Sequence, residues 1–94
     1  MKRNEPTLLT REDLLLPLME EAAEVAKAAS KCLRFGYNRN FPGYGINHRV
    51  LAMEIGQLLA VADALDLDNA TLELARKHKI RDAEDAKKAY GVHD

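Results

Sequence analysis

The chain has 94 residues, and its 14 basic and 15 acidic side chains give a formal net charge of −1 at pH 7. Apolar residues make up 47% and charged residues 31%, a composition typical of an ordinary soluble globular protein. This length predicts one small domain over residues 1–94, and the near-neutral charge argues against nucleic acid or an anionic membrane as a partner, because both attract strongly basic proteins.

The N-terminal sequence MKRNEPTLLTRED lacks the continuous apolar stretch of a secretion signal. The longest apolar run anywhere is far shorter than the roughly 20 residues that a membrane span needs. We therefore expect a cytoplasmic protein without a membrane partner. Residues 1–9 are predicted to be flexible, and 92–94 to form a tail.

The first predicted helix begins near the sequence TRED, residues 10–13, which has the form of a capping box. We expect this box to open a first turn or two, which Pro17 then interrupts or restarts. From Pro17 to about Phe35 the apolar residues recur at helical spacing, and Gly36 supplies a stop. The apolar stripe of this helix consists of Leu18, Ala22, Val25 and Ala29.

Residues 35–46, FGYNRNFPGYGI, hold three of the five glycines and four of the five aromatic residues. This composition predicts an irregular loop of about a dozen residues. Its aromatic rings either stack on a nucleotide base or plug the end of a helical bundle. These rings belong to Phe35, Tyr37, Phe41 and Tyr44.

After the loop, Asn47 is expected to cap a helix that runs to about Leu65. Asp66 or Asp68 then caps a final, strongly polar helix from about Asn69 to Tyr90, which we expect on the outside of the molecule, closed by Gly91. No strand pattern, repeat or low-complexity tract is present. The sequence therefore predicts an all-α bundle of three to four helices.

Two acids lie at the margin of apolar helix faces. At about 100° per residue, Glu21 falls about 60° from the centre of its stripe, with Glu24 as its i+3 neighbour. In the helix after the loop, Glu54 falls about 60° from the centre of that helix's apolar stripe, with Gln57 as its i+3 neighbour. That helix is apolar nearly all round, which implies burial on several sides, and a homodimer or homotetramer would provide the missing cover.

A carboxylate within helix packing is costly unless a partner compensates its charge. Between Val50 and Leu65 the chain has no Lys or Arg to do so. If Glu21, Glu24 and Glu54 converge across the helix interface, a divalent cation would resolve their repulsion, and such oxygen ligands suit Mg²⁺ or Mn²⁺. The alternative is a solvated helix face on which the acids pair with neighbouring lysines.

Cationic side chains continue toward the loop along the flank of the first helix that carries Glu20 and Glu24. A metal at one end of a flank and cations at the other would suit a triphosphate, although ordinary solvated i, i+4 pairing explains the same residues. We also expect a substrate contact from the residue that follows the loop. The predicted substrate-binding residues are Lys27, Lys31, Arg34 and Asn47.

The acidic segments EEAAE, Glu20 to Glu24, and EIGQ, Glu54 to Gln57, are separated by 29 residues. The pair resembles the EExxE and ExxD motifs of the all-α nucleoside triphosphate pyrophosphohydrolases. In particular, the runs AASKCLRFG and LLAVAD are similar to those of short, single-module MazG-like proteins, whose relatives include dimeric dUTPases and phosphoribosyl-ATP pyrophosphatase. The resemblance covers about Leu14 to Leu65.

This resemblance implies a helical module that dimerises or tetramerises, binds Mg²⁺ and hydrolyses a nucleoside triphosphate to its monophosphate and pyrophosphate. It makes Glu21, Glu24 and Glu54 metal ligands and gives Glu20 the role of assisting a metal-bound water. Gln57 replaces the family's Asp; its amide oxygen still coordinates a hard cation but adds no negative charge. The alternatives are a noncatalytic nucleotide-binding or protein-interaction module on the same scaffold, and a purely structural bundle.

Overall fold

The computed structural model describes residues 9–89. Its three helices are α1 (Arg11–Phe35), α2 (Asn47–Leu65) and α3 (Asn69–Ala89). Of the predicted all-α bundle of three to four helices, the all-helical character is confirmed, and residues 9–89 contain three helices. The predicted tail and all but Leu9 of the predicted flexible N-terminal segment lie outside the described residues. None of these three helices combines the length and apolarity needed to cross a membrane within the described range.

Helix α1 begins with the predicted capping box. Thr10 Oγ1 accepts a hydrogen bond from the Asp13 backbone N–H at 3.0 Å, and Asp13 Oδ2 accepts one from the Thr10 backbone N–H at 2.9 Å. The prediction that Pro17 interrupts or restarts the helix is wrong, because α1 continues through it. An interior proline costs about 3 kcal/mol. Leu14, one turn earlier, is buried, so tertiary packing favours the helical conformation of the segment before the proline.

Helices α1 and α2 pack along each other as an antiparallel hairpin. The direction follows from facing residues: Gln57 of α2 lies against Glu21 of α1, whereas Val50, earlier in α2, lies near Lys31, later in α1. The buried apolar residues of the described chain all belong to these two helices. They are Leu14, Ala28 and Leu65. Ala28 lies in the C-terminal half of α1, where its small side chain allows the helices to approach closely.

The connection between α1 and α2 is anchored by Asn47. Its side-chain amide donates to the Gly36 carbonyl oxygen at 2.9 Å, and its backbone N–H donates to the Arg39 carbonyl oxygen at 2.9 Å. Asn47 is 2% exposed. The prediction that it caps α2 is wrong: Ile46 precedes the helix and makes no side-chain capping bond. The Asn47 amide is instead used to hold the end of α1.

A short antiparallel ladder lies within this connection, where the sequence predicted no strand. Strand β1 (Asn40–Phe41) pairs with β2 (Gly45–Ile46). Gly43 and Gly45 have φ of +86° and +89°, a region that side chains with a Cβ rarely adopt. The two glycines flank Tyr44 and place it at the tip of the ladder.

Helix α3 begins at Asn69, as predicted from the sequence, and its predicted end at Tyr90 and Gly91 lies outside the described residues. Asp66 ends α2 in the left-handed conformation, with φ of 55° and ψ of 54°. Asp68 precedes α3 and accepts hydrogen bonds from the Leu72 backbone and the Thr71 hydroxyl. No residue of α3 is buried, which confirms its expected place on the outside, and no described helix packs along it.

The hairpin leaves one broad surface apolar, which we term the apolar face. On α1 its residues recur at alternating steps of four and three, the spacing of a heptad seam. These residues of α1 lie about 100° around the helix from the side that contacts α2, and the apolar-face residues of α2 lie about 100° from the side that contacts α1. Because the two helices are antiparallel, both sets face the same surface. The apolar face comprises Leu15, Met19, Ala22, Ala26, Ala29 and Leu33 of α1, and Ala52, Ile55 and Leu59 of α2.

The apolar face is fully open in the isolated chain. Met19 is 67% and Leu33 is 88% exposed. In the isolated chain α1 covers one side of α2, so the burial on several sides predicted for α2 would require a second chain. The chain exposes 8072 Å², whereas a compact monomer of this mass exposes about 5400 Å².

The capping box makes the stability of α1 dependent on pH. Hydrogen bonds from the Thr10 backbone and then from its side chain hold the pKa of Asp13 below its usual 3.8. Because the folded pKa is the lower one, this contribution is present above pH 3.8 and is lost as the pH falls through the folded pKa. Asp13→Asn should therefore lose less unfolding free energy than the wild type between about pH 5 and pH 3, measured by urea denaturation.

Asp82→Asn is the control for this comparison, since Asp82 is an exposed acid of α3. It should follow the wild-type pH dependence. A wild-type curve parallel to that of Asp13→Asn would show that the capping box does not contribute to acid stability.

Candidate functional site

The antiparallel packing brings Glu21 of α1 and Glu54 of α2 to one amide group, that of Gln57. The nearest terminal atom of this amide lies 3.0 Å from Glu54 Oε1 and 3.1 Å from Glu21 Oε2. We assign this atom as the nitrogen, because an oxygen there would face two acceptors. Gln57 thus donates to both carboxylates and links α1 to α2.

This arrangement explains how two half-buried acids are accommodated although α2 has no Lys or Arg between Val50 and Leu65. Glu21 and Glu54 are each partly exposed, and each receives one N–H of the same amide. A hydrogen bond to a charged group contributes more than one between neutral groups. The sequence pattern placed both acids at the helix interface, but the bridging role of Gln57 was not predicted.

A cleft of about 120 Å³ lies beside this bridge, between α1, α2 and the ladder. We term it the carboxylate cleft. Its lining includes Glu24, Lys27, Lys31, Tyr44, Val50 and Glu54. The Lys31 Nζ lies 4.7 Å from the centroid of the Tyr44 ring, a cation–π contact. Four residues predicted as metal or substrate contacts therefore meet in one cleft.

The remaining predicted site residues lie elsewhere. Glu20 is exposed on α1 and does not line the carboxylate cleft. The Arg34 Nε donates to Ser30 Oγ at 3.1 Å, and its guanidinium lies 4.9 Å from the centroid of the Phe35 ring, beside a different cleft. The amide of Asn47 is committed to Gly36 inside the hairpin turn. The structure thus separates Arg34 and Asn47 from Lys27 and Lys31.

The predicted trio of acids does not form a single cluster. Within residues 9–89, no three His, Cys, Asp or Glu side chains are placed together as a metal site. Glu54 instead shares one neighbourhood with Glu21 and Gln57, and another with Glu24 across the carboxylate cleft. Carboxylate and amide oxygens are both ligands that hard divalent cations accept. The residues present therefore supply a suitable donor set, with an amide in place of one acid.

A second cleft, of about 430 Å³, adjoins the first. Tyr44 and Val50 line both clefts. None of the other lining residues, which include Asn40, Arg49 and Met53, was predicted as a site residue. The glycines on either side of Tyr44 are the feature of the sequence that could have indicated a fixed position for this ring, because both adopt positive φ.

Three of the four loop aromatics, Phe35, Tyr37 and Tyr44, do not plug the end of the bundle, and the side chain of Phe41 lies outside the described part of the chain. Tyr44 is 65% exposed, and Phe35 and Tyr37 are exposed as well. The Tyr37 ring stacks on His48 with 5.0 Å between ring centroids. The described rings therefore lie on the surface of the connection, and Tyr44 alone among them lines the carboxylate cleft.

No family model, curated protein or solved structure matches this chain. The resemblance to MazG-like enzymes therefore remains a prediction from the sequence motifs. A function for the chain has to be inferred from the chemistry of the two clefts and of the bridge beside them.

The Gln57 bridge predicts a measurable stability difference. Gln57→Ala removes the shared donor and leaves Glu21 and Glu54 facing each other, so the unfolding free energy should fall by about 1 kcal/mol without divalent cations. The measurement is urea denaturation at pH 7 and fixed protein concentration. In a Glu54→Gln background the same substitution should cost less, because one of the two acceptor charges is already gone.

Asp63→Ala is the control, because Asp63 is an exposed polar residue of α2. It should change stability little in either background. An equal cost of Gln57→Ala in both backgrounds would mean that the amide does not act through Glu54.

Proposed function

We propose that this protein is a Mg²⁺-dependent pyrophosphohydrolase that converts a nucleoside triphosphate into its monophosphate and pyrophosphate. The observation that carries this proposal is the meeting of Glu21, Glu54 and Gln57 beside a cleft that contains Lys27 and Lys31. The likeness of EEAAE and EIGQ to the motifs of MazG-like enzymes supports it as well.

Two spacings among the bridge atoms are close to those between neighbouring ligands of a hard divalent cation. Adjacent ligands of an octahedral Mg²⁺ lie about 2.9 Å apart, since each is 2.0–2.1 Å from the ion. The Gln57 amide atom lies 3.0 Å from Glu54 Oε1 and 3.1 Å from Glu21 Oε2. If the amide turned over, its oxygen would take this position, and Gln57 would hold the cation together with Glu21 and Glu54. Mn²⁺ accepts the same donors.

The chain's own residues then divide the work on the triphosphate. Lys27 and Lys31 would donate hydrogen bonds to phosphate oxygens along the carboxylate cleft, and Glu24 at its wall would be a further ligand for the cation. Glu20, one helical turn before Glu24, accepts a proton from the attacking water. The water oxygen bonds to the α-phosphorus, the bond from that phosphorus to its bridging oxygen breaks, and pyrophosphate leaves. When bound, Mg²⁺ neutralises phosphate charge and lowers the pKa of a coordinated water.

A second candidate is a noncatalytic nucleotide-binding or protein-interaction module on the same scaffold. The observation that favours it is Gln57 itself, because a neutral amide adds no charge to the ligand set and its nitrogen already satisfies both carboxylates. This module would hold a nucleotide in the carboxylate cleft without hydrolysing it.

Hydrolysis separates the two candidates. Purified protein should release pyrophosphate from at least one of a panel of canonical and modified nucleoside triphosphates with Mg²⁺ or Mn²⁺. Glu54→Gln should lower that rate more than about 100-fold because it removes a ligand charge, whereas Asp63→Asn, on the exposed side of α2, should not. Nucleotide binding without pyrophosphate release would establish the noncatalytic nucleotide-binding module. The absence of both binding and release would refute both nucleotide functions and leave the protein-interaction module.

The Gln57 substitution offers an independent test of the metal ligands. Gln57→Asp restores an acid beside Glu21 and Glu54, so Mn²⁺ should bind more tightly, measured by calorimetry or by the rise in melting temperature on adding the ion. Unchanged affinity would show that position 57 does not face the cation.

The proposal includes a homodimer assembled through the apolar face, or a homotetramer that contains this dimer. The apolar face includes Ala22, Ala26 and Ala29 along the middle of α1. Their small side chains allow a second hairpin to pack closely. Two hairpins joined in this way form a four-helix bundle. The carboxylate cleft lies on the other surface of the hairpin and stays accessible.

Sedimentation or light scattering tests this assembly. Ala26→Lys places a charge at the centre of the apolar face, so it should convert the oligomer to a smaller species at equal concentration. Ala60→Lys introduces the same charge at an exposed alanine of α2 outside the apolar face and should leave the mass unchanged. A wild-type monomer at high concentration would refute the assembly.

A further inference from the structure

We infer that the larger cleft, lined by Asn40, Arg49 and Met53, holds the nucleoside of the substrate while the carboxylate cleft holds its phosphates. This inference rests on the proposed function and assigns the second half of the same site. We term the larger cleft the nucleoside cleft.

Size is the first argument. The carboxylate cleft measures about 120 Å³, well below the volume of about 300 Å³ at which pockets for small molecules begin. It has room for a cation and part of a phosphate chain but not for a base and a sugar. The nucleoside cleft measures about 430 Å³ and falls within the range of such pockets.

Position is the second argument. The two clefts have Tyr44 and Val50 in common, so a ligand that fills the first continues into the second without crossing the hairpin. The Tyr44 ring contacts Lys31, one of the proposed phosphate contacts, at 4.7 Å. Its exposed ring is held at the junction by Gly43 and Gly45, where an aromatic ring offers a stacking surface to a base.

The chemistry of the lining is the third argument. Ile46, Val50 and Met53 give the nucleoside cleft an apolar wall, and Met in particular makes favourable contacts with aromatic rings. Asn40 and Arg49 add an amide and a guanidinium, the groups that pair with base edges in other recognition sites. A mostly apolar pocket with a few polar groups is typical of small-molecule sites.

Charge fixes which end of the substrate occupies which cleft. The carboxylate cleft contains Glu24 and Glu54, which need a cation between them and the phosphates. The described residues that line the nucleoside cleft include no acid. The metal-bound phosphates therefore occupy the first cleft, and the uncharged base and sugar occupy the second.

The experiment compares two probes, inorganic tripolyphosphate and the common nucleoside triphosphate that the wild type binds best, each with Mg²⁺ in calorimetric titrations. Arg49→Ala and Met53→Ala should weaken nucleotide binding about tenfold, the effect of losing one buried contact, and leave tripolyphosphate affinity within about twofold. Lys27→Ala should weaken both probes. Arg39→Ala, at an exposed arginine outside both clefts, should change neither.

Circular dichroism should show that each variant keeps its helices. We expect this result because Arg49 and Met53 are exposed positions. Wild-type affinity of both Arg49→Ala and Met53→Ala for the nucleotide would overturn the inference and leave the proposed function standing. An equal loss for tripolyphosphate would overturn it too, because the cleft would then hold phosphates. A wild type that binds tripolyphosphate and no nucleotide would refute the proposed function together with the inference.

Discussion

The hydrogen bonds of Asn47 hold the turn on which the rest of the described structure depends. They join the end of α1, at Gly36, to the start of α2, and their donor is almost completely shielded from water. In that setting a hydrogen bond is strong and its loss is costly. Because this turn determines where α2 starts, it also determines which residues of the two helices face each other farther along. The meeting of Gln57 with Glu21 is a consequence of it.

This dependence makes the site sensitive to the alignment of the two helices. A shift of α2 by one residue would rotate its side chains by about 100° and move Gln57 away from Glu21. The same alignment directs the apolar face to one side of the hairpin and the carboxylate cleft to the other. The apolar face and the carboxylate cleft therefore lie on different surfaces of the hairpin. A substitution can alter one of these surfaces without altering the other.

Features that depend on neighbouring residues were predictable from the sequence, and features that depend on distant ones were not. The capping box at Thr10 spans four residues and was found from its pattern alone. The continuation of α1 through Pro17 depends on tertiary packing, which outweighs the local cost of a proline. Asn47 looked like a helix cap because its true partner, Gly36, lies 11 residues earlier across a turn whose conformation no periodicity describes.

The candidate site shows the same division. The angular positions of Glu21 and Glu54 followed from helical geometry, so their approach to a common interface was predictable. The bridging role of Gln57 was not, because it depends on the alignment of two helices and on the orientation of one amide. Nor did the sequence indicate the nucleoside cleft, whose residues come from the ladder and from a flank of α2 that carries no motif.

Helix α3 stands apart from the hairpin, with no buried residue and no described helix along its length. Its surface residues are therefore under almost no packing constraint from the rest of the described chain. Substitutions on the surface of α3 should therefore leave the alignment of α1 and α2 intact. It is also the natural place to attach a label or a fusion partner when the hairpin must stay undisturbed.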